Sequence, residues 1–72
     1  MSGYKFVQRA KVLIVKEQHQ DAIRVCRLGL LAHPALVEGR LVLGTALLAL
    51  ARYDEVLAEM RVALFQALGR EP

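Results

Sequence analysis

The sequence predicts an all-α fold of two stacked antiparallel helix hairpins, and three observations predict it. Strand signals are nearly absent: the chain has no long period-2 alternation and no Asn-Gly or Asp-Gly turn. Apolar residues recur at helical spacing in a chain rich in Leu, Ala, Arg and Glu. A shift of 34 residues lays like on like, pairing Ala10 with Gly44, Leu13 with Leu47, Ile14 with Leu48 and Asp21 with Glu55. The same shift pairs Ile23 with Leu57, Arg27 with Arg61, Gly29 with Ala63 and Leu30 with Leu64.

The periodicity places helices at about 3–17, 20–33, 37–51 and 54–68. Pro34 lacks the backbone donor that a helix interior needs, so the second helix should end before it. Asp21 lies near the start of the second helix, where its charge suits the positive helix end. Asp54 is expected to accept a hydrogen bond from the first free amides of the fourth helix, with acidic Glu55 beside it. Gly69 is expected to mark the end of that helix.

Composition narrows the class. The chain has 72 residues, 56% of them hydrophobic, and a net charge of +3. That excludes disorder and a collagen-like chain. With Cys26 as the single cysteine no intrachain disulfide can form, so packing alone must hold the fold, as in a reducing compartment. The longest uncharged, mostly apolar run is Leu41–Ala51, eleven residues, against about 20 for a membrane-crossing helix. Met1–Lys5 lacks the apolar stretch of a signal peptide, and Ser2 stands where N-myristoylation needs glycine. The expected location is cytoplasmic, with no membrane partner.

The residues that match across the shift resemble the tetratricopeptide repeat family, whose unit is a 34-residue helix pair with the pattern W-x2-L-G-x2-Y…A-x3-F…P. The first unit offers Phe6, Arg9, Ala10, Leu13, Ala22, Cys26 and Pro34 at those spacings. The second offers Arg40, Leu43, Gly44, Leu47, Val56, Met60 and Leu68. Tyr53-Asp54-Glu55-Val56-Leu57, followed by Ala63-Leu64, looks like the turn and second helix of a family repeat. The chain departs from the pattern at Arg9 and Arg40, at Cys26 and Met60 in place of aromatics, and at Leu68 in place of proline. The resemblance implies one module over 1–72, with repeat one at 3–36 and repeat two at 37–70, as a piece of an α-solenoid.

Helical spacing divides the first helix of each unit into stripes. Phe6, Ala10 and Leu13, with their counterparts Arg40, Gly44 and Leu47, form the face expected within each hairpin. A second stripe reads Lys5, Arg9, Val12 and Lys16 in unit one but Gly39, Leu43, Ala46 and Leu50 in unit two. The family arrangement points this stripe at the preceding repeat, so unit one is expected to be a terminal cap with no repeat before residue 3. At the other end Leu57, Met60, Leu64 and Leu68, with Phe65 at the edge, are expected to lack a cover. Leaving such side chains wet forgoes roughly 1.5–3 kcal/mol each. That suggests either a fragment of a longer protein or self-association through this face.

The third stripe comprises Tyr4, Val7, Lys11 and Ile14, then Glu38, Leu41, Thr45 and Leu48. The resemblance implies that it lines a concave surface that takes a peptide or helix from another protein. The Lys/Asn clusters that grip a C-terminal carboxylate in similar proteins are absent, so an amphipathic helix or an apolar extended segment is the expected ligand. Two functions therefore stand open: a non-catalytic protein–protein interaction module, or a homo-oligomerisation module that pairs as a dimer through its last helix.

Chemistry has few footholds. His19, Cys26 and His33 are seven residues apart at each step, about 10 Å along a helix. That suits neither zinc ligands nor a Cys–His nucleophile. Cys26 reads as a small core hydrophobe. No catalytic set, metal or cofactor is expected. Nucleic-acid binding is a rival because the chain is basic. Yet Arg24, Arg27, Arg52, Arg61 and Arg70 are interleaved with Asp21, Glu38, Glu55 and Glu59, and no helix carries cations beside base-reading residues.

Overall fold

In the computed structural model, residues 4–69 are described. They form four helices, α1 (Tyr4–Val15), α2 (His19–Ala32), α3 (Val37–Ala49) and α4 (Tyr53–Ala67). Among the described residues there is no strand, and the fold is an all-α arrangement of helix hairpins measuring 35 × 31 × 15 Å. Helix α1 packs on α2, and α3 on α4. Among these residues α3 is the one helix packed against all three others.

The two hairpin turns are built alike. In the first, Glu17 turns left-handed at φ 62°, the Gln18 N–H donates to the Leu13 carbonyl at 2.8 Å and the Glu17 N–H to Ile14 at 2.9 Å. In the second, Ala51 sits at φ 59°, the Arg52 N–H donates to Leu47 at 3.0 Å and the Ala51 N–H to Leu48 at 2.9 Å. Each is a Schellman closure, which satisfies the last carbonyls of the helix and reverses the chain. Helices α1 and α3 therefore stop two residues short of the expected 17 and 51. Helix α2 ends at Ala32, before Pro34, and Gly69 at φ 70° follows α4, both as expected.

Asp54 is a correction. Helix α4 starts at Tyr53 with Arg52 in the capping position, and no side chain caps it. Asp54 lies in the first turn, where its charge can act on the helix end without a capping bond.

Glycines set the packing. A β-carbon on Gly29 would land on the Phe6 ring, and one on Gly39 would come within 2.6 Å of Phe6 Cζ and 3.1 Å of Leu30 Cδ2. Phe6 thus occupies a notch lined by α2 and α3, and its ring also stacks near His33, centroids 6.5 Å apart. On the second hairpin, Gly44 leaves room for the Met60 methyl. Val7, Ala10, Ala22, Cys26, Leu43, Ala46 and Leu47 are fully buried around these contacts. Burial pushes the Cys26 thiol up to about 11.

Candidate docking face on the second hairpin

Helix α3 has two apolar sides. Gly39, Val42, Leu43 and Ala46 are buried against the first hairpin. Leu41 and Leu48 lie roughly 130° round the helix from Val42 and Ala46, and both are exposed. On α4, Val56, Met60 and Ala63 turn toward α3, while Leu57, Leu64 and Leu68 form an exposed stripe. The Gly44–Met60 contact joins the two helices between these stripes. Helical geometry in an antiparallel pair puts both stripes on the side away from the first hairpin. By this geometry Leu41 and Leu48 flank the α3–α4 furrow on one side and Leu57 and Leu64 on the other, as an exposed apolar strip.

Positions 34 residues earlier behave differently. Val7 is 1% exposed where Leu41 is 46%, and Ile23 is 5% where Leu57 is 61%. Ile14 is half-buried where Leu48 is exposed. The first hairpin carries α3 over this surface, and nothing among the described residues lies over its counterpart on the second.

Compared with protein-family models, curated proteins and solved structures, the chain matches none. The site therefore rests on its own geometry.

The expected concave surface is redrawn by that geometry. Val7 is a correction: it is core, because α3 packs over it, and it cannot line an open surface. Lys11 and Glu38 meet each other across the α1–α3 seam, where Lys11 Nζ donates to Glu38 Oε2 at 2.8 Å. Thr45 donates its hydroxyl to the Leu41 carbonyl of its own helix at 3.0 Å. Ile14 flanks a small cleft with Lys11, Val15, Val42 and Thr45. The Tyr4 side chain lies outside the described residues.

The last-helix set also divides. Leu57, Leu64 and Leu68 stand open, whereas Met60 is half-buried against Gly44. Phe65 belongs to a different surface. Its counterpart Leu31 is exposed as well, although α3 and α4 are in place beyond it. The stripe Lys5, Arg9, Val12 and Lys16 is exposed and Leu43 is fully buried, as expected of the two stripes.

A polar network joins residues too far apart in the sequence for helical spacing to link them. Arg40 donates to Glu59 Oε1 at 3.0 Å and to the Pro34 carbonyl at 3.0 Å, and Gln66 donates to the same carbonyl at 2.9 Å. Arg27 reaches from α2 to Glu55 at 2.8 Å and lies 3.7 Å from Glu59. Arg52 donates two hydrogen bonds to Glu55, which holds that carboxyl below the usual carboxylate range. Arg27, Pro34, Arg40 and Glu59 line an open cleft of ≈ 570 Å³ with Leu28, Leu30, Leu31 and Leu43. Arg40, a departure from an apolar pattern, thus ties the α2–α3 connection to α4.

Among the described residues, no group of three His, Cys, Asp or Glu side chains could hold a metal ion. No described helix is long and apolar enough to cross a membrane.

Proposed function

We propose that this chain is a non-catalytic protein–protein interaction module of tetratricopeptide-like design, which docks a helical segment of another protein on the α3–α4 furrow. One observation carries the reading: Leu41, Leu48, Leu57 and Leu64 are exposed together, while the residues 34 positions earlier are covered or partly covered by a helix. Clustered apolar exposure of this kind marks interaction surfaces, and a helix in an apolar groove is a recurrent recognition mode. The paired Lys11 and Glu38 favour this furrow over the α1–α3 surface as the docking site.

Photo-crosslinking in cells tests it. With the crosslinker at position 64, a discrete adduct heavier than two copies of the chain is expected, and at position 12, on the far side, none. Adducts from position 12 alone, or from neither position, would overturn the reading. An adduct from position 64 at the mass of two copies would transfer the role to homo-oligomerisation.

A further inference from the structure

We infer that the furrow is shaped for a helical hairpin of another protein, one that brings small aliphatic side chains to its floor and an acidic pair to Arg61. This rests on the docking reading above and names the partner's chemistry.

The template is the way the chain covers its own first hairpin. Over α1 and α2 lies the α3 face of Gly39, Val42, Leu43 and Ala46, all buried. Gly39 is there because Phe6 and Leu30 leave no space for a β-carbon. The furrow offers Leu41, Leu48, Leu57 and Leu64 where that interface offers Val7, Ile14, Ile23 and Leu30, and Arg40 in place of Phe6, so that Leu64 alone keeps the crowding that Leu30 brings to Gly39. A helix with small residues seven apart and Val-Leu-like bulk between them fits the same way.

Charge supplies the second half. Beside the covered interface, Arg27 of α2 is met by Glu55 and Glu59 from α4, the second helix of the covering hairpin. Arg61 stands 34 residues after Arg27, is exposed, and among the described residues has no acid within salt-bridge reach. The occupant is therefore a hairpin rather than a lone helix, with acids on its second helix.

A second copy of the chain fits poorly in either orientation. Stacked head to tail, it would bring Lys5, Arg9 and Lys16 to the places held by Gly39, Leu43 and Leu50, from a helix with no acidic residue. That would press cations into an apolar furrow already holding Arg61. Related by a two-fold axis through the Leu57–Leu64 stripe, it would set Arg61 close to its own copy.

The probe is a synthetic peptide of residues 37–69, which carries both the α3 face and Glu55 and Glu59, titrated against the full chain by calorimetry. Saturable binding is expected. Glu55→Gln with Glu59→Gln in the peptide should weaken it roughly tenfold or more. Arg61→Glu in the full chain should weaken the natural peptide similarly, with recovery by a peptide bearing Glu55→Lys and Glu59→Lys. Circular dichroism verifies that each chain variant stays helical. Equal binding of the natural and Gln-substituted peptides would overturn the acidic partner and leave docking intact. Failure to bind by every peptide that circular dichroism shows to be helical would sink the docking reading itself. A dimer seen by light scattering before any peptide is added would make the second copy the occupant.

Discussion

Leu30 and Leu64 are each the twelfth residue of their helix, and α3 covers one of them only. Leu30 approaches Gly39 of α3 and is 6% exposed, whereas Leu64 is 59% exposed. The two leucines should therefore respond very differently to truncation. Leu30→Ala removes packed core atoms and should cost about 2–5 kcal/mol. Leu64→Ala should stay within about 0.5 kcal/mol. Urea unfolding of the two variants checks the contrast.

Gly29 should tolerate no side chain. Its β-carbon would occupy the Phe6 ring, so Gly29→Ala should destabilise by about 1–3 kcal/mol despite the better helix propensity of alanine. Phe6→Leu should recover part of that loss in the double variant, because it clears the notch. Thermal melts of the four proteins in the cycle decide it.

The hairpin turns hold Glu17 and Ala51 left-handed, where glycine sits without steric cost. Ala51→Gly should therefore raise stability by about 0.5–1 kcal/mol, with the helix content by circular dichroism unchanged. A loss of stability would show that the turn is closed by something other than the Schellman bonds.

Cys26 gives an alkaline signature. Its thiol titrates near 9.0 when solvated and is pushed to about 11 by burial. A raised pKa contributes stability that is complete below the unfolded value and is lost as pH climbs through the folded one. The stability advantage of the wild type over Cys26→Ala should shrink between about pH 9 and 11. Denaturant melts of both proteins across that range measure it, and comparing the two removes the shared titration of Lys and Tyr.

How much of this was legible in the sequence follows from what each feature needs. The helices were legible because apolar spacing and Pro34 act locally. The stripe contrast between Arg9 and Leu43 was legible because a cation cannot lie between packed helices without a partner. The hairpin closures were not, since Glu17 and Ala51 stand where a glycine would have signalled the turn. Val7 has the spacing of an open-face residue, and the spacing of one helix does not say how far the next helix leans over it. The Arg40–Glu59 pair joins residues nineteen positions apart, beyond the reach of any helical period. Spacing alone leaves Leu57 and Leu64 uncovered, but their joining with Leu41 and Leu48 along one furrow emerges only once α3 and α4 are paired.

Methyl NMR on the full chain, titrated with the peptide of residues 37–69, tests the central claim most directly. The methyl signals of Leu41, Leu48, Leu57 and Leu64 should move together and saturate, while those of Val12 and Leu31 stay in place. Shifts that gather on Val12, or on Leu28 and Leu31 instead, would contradict a docking furrow between α3 and α4.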